Sequence, residues 1–249
     1  MEFSTIVLIS FVVLLTGVSK SAFAGAFGIF AVPLLMLEMP ATQAVALMLP
    51  ILIIADAMSI SSFWRKWDVA LLSKLIPGAI VGVVIAVFLL EKLNANFIGL
   101  SIASICVLFS LKNLYFKQAK IKFLKGDKGA YLMSSLSGIT STLVHAGGPP
   151  LIMYFSAIGL SSKKFVATTA AFFAITNIAK LAGTVALGLI TFDVLLLALS
   201  FIPVALVGNW LGVKLHHKIA KDKFLRIMNY FLLLLGGWLS FNHIKALII

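Results

Sequence analysis

Three charged side chains interrupt long apolar runs: Lys20, Asp56 and Lys180. A charge at mid-bilayer costs about 2.5–3.5 kcal/mol on insertion scales, so each one marks a functional site by default. A second feature is His145-Ala146-Gly147-Gly148-Pro149-Pro150, preceded by Thr140, Ser141 and Thr142. Proline lacks an amide donor and glycine loosens the backbone, so no continuous helix passes through this stretch. Pro149 and Pro150 suit the first turn of a new helix, where an amide is not needed. A helix that begins inside a membrane aims unpaired amides and a positive dipole end, worth about half a charge, at the space before it. With Lys20 or Lys180 nearby, that start makes an anion site. Gly147 and Gly148 let a ligand approach the backbone, and Thr140, Ser141 and His145 offer hydrogen bonds. Asp56 has a different chemistry, since carboxylates inside membranes carry protons, and it is the candidate coupling residue. The structural alternative is an Asp56–Lys180 ion pair, with the Gly-Gly-Pro-Pro stretch a simple kink.

The surrounding sequence must hold these groups within lipid. Hydrophobic residues make up 61% of the chain and charged residues 11%, against roughly half and a quarter in soluble domains. An integral membrane protein follows, with the bilayer as its main partner. Runs of about 20 apolar residues fall at 43–63, 69–90 and 97–116, then at 165–189, 194–213 and 224–244. Residues 4–38 are too long for one span and are broken near Gly25-Ala26-Phe27-Gly28, and residues 130–160 are broken at 145–150. Ala22-Phe23-Ala24 resembles a cleavage site, but Glu2 and the lack of Lys or Arg ahead of the apolar run favour a retained membrane segment.

The chain reads one passage twice. Ile76-Pro77-Gly78-Ala79-Ile80-Val81-Gly82 returns as Ile202-Pro203-Val204-Ala205-Leu206-Val207-Gly208. Trp67-Asp68 matches Phe192-Asp193, and Val32-Pro33-Leu34-Leu35 matches Pro149-Pro150-Leu151-Ile152. Asp56 aligns loosely with Asn177, and Ser59 with Lys180, so both halves offer polar groups near one midplane. Duplicated apolar halves with Gly/Pro breaks at matching places are the mark of a secondary transporter. Gly78-x-x-x-Gly82 and Gly208-x-x-x-Gly212 are close-packing signals that serve internal contacts or a homodimer.

Charge placement sets the topology. The net charge of +12 does not imply nucleic acid, because the basic residues occupy short gaps between apolar runs. The gaps 117–128 and 214–226 are both Lys-rich and belong on the cytoplasmic side. They share a side only if 130–160 folds as a hairpin of two half-helices. Arg65, Lys66, Lys163 and Lys164 then fall on the same side, while Glu38, Glu91 and Asp193 fall on the other. Each half becomes a broken helical hairpin plus three transmembrane helices. Such an odd number of crossings requires two inverted-topology repeats, 1–116 and 130–249, joined by a basic connector, 117–129, with both termini outside.

Other chemistries lack their motifs. The sequence has no phosphate-binding loop and no His-Glu-x-x-His, and Cys106 has no second cysteine to pair with. No enzyme activity, metal or cofactor is expected. His216-His217 read as solvated and His243 as interfacial.

The same residues carry a family resemblance. Gly25-Ala26-Phe27-Gly28 through Val32-Pro33-Leu34-Leu35, Ser137-Gly138 through Thr142, His145 through Pro150, and Pro77-Gly78-Ala79 with Gly82 resemble the sulfite exporter TauE/SafE family of membrane permeases over nearly the whole chain. The resemblance implies movement of small sulfur-containing anions (sulfite, sulfoacetate or other organosulfonates) across the bacterial inner membrane. The first break is usually richer in glycine than here, where Ala26, Ile29 and Phe30 occupy it, so substrate is expected to rest mainly on the second. Combined with the residues above, the expectation is an alternating-access anion transporter whose site comprises Lys20, Gly28, Thr140, Ser141, His145, Gly147, Gly148, Asn177 and Lys180. A passive anion channel and a non-transporting membrane scaffold are the rivals.

Overall fold

The computed structural model describes residues 2–23, 28–115, 122–215 and 221–248. The expectations placed on Gly25-Ala26-Phe27, Lys117, Lys120, His216-His217 and Lys218 lie outside the described residues. Within them the regular structure is helical: α1 (Phe3–Phe23), α2 (Ala31–Leu35, after one 3-10 turn at Gly28–Phe30), α3 (Ala41–Ser62), α4 (Val69–Lys92) and α5 (Ala95–Tyr115). After a 3-10 segment, Lys122–Lys125, come α6 (Asp127–Val144), α7 (Gly148–Ala157), α8 (Ser162–Ala186), α9 (Phe192–Ser200), α10 (Ile202–Leu215) and α11 (Lys221–Ile248). Six helices, α1, α3, α4, α5, α8 and α11, are long and apolar enough to cross a membrane, and α9 with α10 makes a bent seventh.

Two expectations need correction. The span expected at 194–213 is two helices bent by 41° at Phe201. Pro203 follows the bend, and its ring and missing amide disfavour a straight continuation. The matched Pro77 sits inside an unbroken α4, as does Pro50 inside α3. The first hairpin is also less even than expected. Its long arm, α1, passes alone as a span, and its return, α2, has only five residues against ten in α7. Residues 36–39 continue as turns bonded back to Val32, Leu34 and Leu35, and Pro40 then begins α3.

The most extensive helix contacts are α4 along α6, α5 along α11 and α1 along α10, and α8 packs against both α4 and α3. Small residues set the α4–α6 and α1–α10 pairings. A Cβ on Gly82 or Gly78 would run into the α6 backbone at Ser135 or Tyr131, and one on Gly208 into the α1 backbone at Leu14. Ser135 Oγ also donates to the Gly78 carbonyl at 2.9 Å. Gly78, Gly82 and Gly208 thus serve contacts within the chain. The opposite helix faces carry exposed Val81, Val84 and Phe88 on α4, and Leu206, Val207 and Trp210 on α10, as lipid-facing surfaces require.

The α3–α4 connection is tied to the start of α8. Asp68 caps α4 by accepting from the Leu71 amide at 3.1 Å, and Lys164 Nζ donates to its other oxygen at 2.9 Å. The Asp68 amide donates to Thr168 Oγ1 at 3.0 Å. The Lys164 ammonium, then the Leu71 amide, hold the Asp68 carboxyl below its ordinary value of 3.8. A lowered folded-state value means that this contribution to stability is full above pH 3.8 and is lost only as pH falls through the folded value. Asp68→Ala should cost about 1 kcal/mol, mainly the cap. Asp68→Ser, which keeps a capping oxygen, should lose only the exposed ion pair, about 0–1 kcal/mol, in thermal melts at pH 7. The matched Asp193 is not a cap; Thr191 Oγ1 accepts from Val194 and fills that role in α9.

Candidate functional site

The second break is built by α6 and the start of α7. α6 ends at His145, which adopts the left-handed backbone conformation, φ 55°. That geometry usually falls to glycine. Here a side chain is carried into the interior at the turn. Thr140 Oγ1 donates within α6 and to the Ala146 carbonyl at 3.0 Å, the Ala146 amide donates back to Thr140 O at 3.1 Å, and Ser137 Oγ donates to Gly147 O at 2.6 Å. α7 then starts at Gly148 with Pro149 and Pro150 in its first turn, as their missing amides favour. The two breaks meet, since a Cβ on Gly28 would lie 2.8 Å from the His145 carbonyl oxygen.

Beside the break is a cavity with about 420 Å³ of empty space, part of it open to the exterior. α1 contributes Thr16, Ser19 and Lys20. The breaks contribute Gly28, Ser141, His145 and Gly148, α3 contributes Leu52, and α8 contributes Phe173, Asn177 and Lys180. Seven of the nine expected substrate-binding residues therefore share one wall. Thr140 and Gly147 brace the break instead. A Cβ on Gly147 would strike Phe173 and Ser137, whereas Gly148 has open space before it.

The charges are paired differently from the structural alternative. Asp56 bonds Lys20 and Asn177 rather than Lys180, using Oδ1 for the ammonium and Oδ2 for the Asn177 amide. Lys20 also donates to Leu52 O at 3.2 Å. Lys180 is 1% exposed and donates to Ser141 O at 3.0 Å, Ser141 Oγ at 3.1 Å and His145 Nδ1 at 3.1 Å. His145 Nε2 lies 3.1 Å from the Val45 carbonyl. That carbonyl only accepts, so Nε2 carries the hydrogen and Nδ1 is free to accept from Lys180. Among the described residues Lys180 therefore has three neutral partner atoms and no direct counterion. Two lysines stand around one carboxylate, an excess of one basic group that an anionic ligand can balance.

A second cavity, about 430 Å³ and also part open, adjoins the first. It shares Lys20 and Phe173 with the first cavity and adds Asp56, Ser59, Phe63, Val166, Thr169 and Ala170. Thr169, Phe173, Asn177 and Lys180 recur at helical spacing along α8, as do Thr16, Ser19 and Lys20 along α1. That periodic stripe was the available signal for Thr16, Ser19, Thr169 and Phe173, which a search for charges alone passes over.

Helices of spanning length around a charged polar interior define a multi-pass membrane protein. The chain belongs to the sulfite exporter TauE/SafE family, whose model matches residues 9–239. Membership makes it a transport protein rather than an enzyme. No curated protein and no solved structure matches the chain.

Proposed function

We propose that the protein is a secondary transporter that moves small sulfur-containing anions, such as sulfite or organosulfonates, across the bacterial inner membrane by alternating access. The observation that carries this reading is the excess of basic over acidic side chains around the first cavity. Lys180 is buried among neutral partners, and Lys20 stands close by on Asp56. A buried charge without a counterion is costly, and an anion in the cavity removes that cost. Gly148 adds an open backbone approach at the start of α7.

Alternating access rests on two inverted repeats, 1–116 and 130–249. The exchange of partners supports them: α4 with α6 and α10 with α1 are equivalent pairings, and α5 with α11 and α3 with α8 pair counterparts with each other. Asp56 and Asn177, aligned between the halves, touch, as counterparts beside a two-fold axis do. Transporters of this design bind substrate at the repeat interface near the midplane. Asp56 is the coupling residue in this scheme.

The test is sulfite flux into proteoliposomes. Lys20→Ala with Lys180→Ala should lower it about 100-fold or more, the equivalent of about 2.7 kcal/mol. Unchanged flux in the double variant would remove the charge from the account. Accumulation of sulfite against a gradient separates a carrier from a passive channel.

A further inference from the structure

The second cavity lies on one side of the first. Along α8 its residues run Val166, Thr169 and Ala170, then Phe173, before Asn177 and Lys180 of the first cavity. Along α3 they run Phe63, Ser59 and Asp56, before Leu52 of the first. The ends of α3 and α8 reached this way are the ones followed or headed by Arg65, Lys66 and Lys164, the basic side that the charge rule makes cytoplasmic. Asp56 stands six residues from the end of α3, about 9 Å by helical rise.

Thr169 is the telling residue. It is 7% exposed, lines the cavity, and its Oγ1 has no hydrogen-bond partner among the described residues. Buried hydroxyls are nearly always bonded to protein or to water. Ser59 Oγ donates to Ala55 O at 2.9 Å, which leaves its lone pairs free to accept. Two hydroxyls, the Lys20 ammonium and the Asp56 carboxylate on the cavity wall give water polar partners among the apolar lining of Phe63, Val166, Ala170 and Phe173.

We propose that this second cavity is a water-filled proton inlet from the cytoplasmic side, in which Thr169 holds water that delivers a proton to Asp56. The inlet presupposes anion transport at the first cavity. The groups that face Asp56 are Lys20 of α1 and Asn177 of α8, with Lys180 of α8 and His145 of the second break farther in. An anion in the first cavity competes for the Lys20 ammonium. As Lys20 turns to it, the Asp56 carboxylate loses its ion pair. A hydronium in the inlet then gives its proton to an Asp56 oxygen, breaking its own O–H bond and leaving water. One anion and one proton enter together, and the charge of the site is the same afterwards as before. Return of Lys20 to Asp56 after the anion departs breaks the Asp56 O–H bond and passes the proton to water on the side to which the anion was released.

Two measurements on the full chain test this. Thr169→Cys and Ser59→Cys in membrane vesicles should react with a charged methanethiosulfonate reagent applied from the cytoplasmic face, roughly 10-fold or more faster than native Cys106, since thiol reaction needs access and ionisation. Cys106 is fully buried and serves as the internal control. In proteoliposomes loaded with a pH dye, methanesulfonate, a permanent anion that does not itself titrate near neutrality, should enter with proton uptake. Thr169→Val should slow that proton uptake several-fold while its melting temperature stays the same or rises, and Thr169→Ser should restore it. Engineered cysteines as inert as Cys106, or full proton uptake in Thr169→Val, would overturn the inlet. Anion flux without proton movement refutes the inlet alone. No flux of methanesulfonate or sulfite by the unaltered protein refutes the transport reading and the coupling with it.

Discussion

Lys180→Met is expected to abolish anion transport while leaving a folded protein. Methionine keeps most of the side-chain length within an apolar helix and removes only the ammonium. Lys180 is among the largest fully buried side chains in the molecule, and its three donors reach Ser141 and His145. Those partners lose a hydrogen bond, at about 1–3 kcal/mol for a buried group left unpaired. Removing an uncompensated buried charge offsets much of that. Stability should therefore change little, while sulfite flux falls about 100-fold or more, about 2.7 kcal/mol in the barrier. A flux assay paired with a thermal melt separates the two effects. Loss of both together would make Lys180 a structural residue.

Gly82→Leu should have the largest effect on folding. At Gly82 even a Cβ would press into the Ser135 carbonyl on α6, and Gly138 of α6 meets the Ala79 carbonyl of α4 in return. Without a hydrophobic drive between helices in lipid, close backbone approach is a main source of association. A leucine must force α4 away from α6, at about 3 kcal/mol or more by the measure of overpacked cores. The Ser135–Gly78 hydrogen bond breaks with it. Detergent-purified Gly82→Leu should unfold at markedly lower temperature, whereas the same change at lipid-facing Val81 should be nearly silent.

Some of this architecture was readable before any coordinates. Prolines and glycines inside apolar runs have few roles, so the break at 145–150 showed in the residues themselves. Charges inside spans are equally conspicuous, and Lys20, Asp56, Asn177 and Lys180 do converge. What was not legible is which charge meets which. Lys20 and Lys180 are equivalent by type, and only the crossing of α1, α3 and α8 gives Asp56 to Lys20. Proline was ambiguous for the same reason: Pro50 and Pro77 are absorbed by straight helices, while Pro203 follows a bend. The shortness of α2 reflects the turns at 36–39 and the Pro40 start of α3, a local choice that hydropathy does not record. Thr169 and Phe173 were legible only as members of a helical stripe, because a single threonine or phenylalanine in a membrane helix carries no signal until its neighbours are known.

The most direct measurement is thermal unfolding of the purified protein with sulfite, with methanesulfonate and with uncharged dimethyl sulfone. A ligand bound only by the folded state adds about 2.7 kcal/mol at 100 times its Kd. Both anions should raise the melting temperature, the sulfone should not, and the rise should disappear in Lys180→Met. Equal stabilisation by the sulfone, or anion stabilisation that survives loss of both Lys20 and Lys180, would contradict a pocket that selects its solute by negative charge.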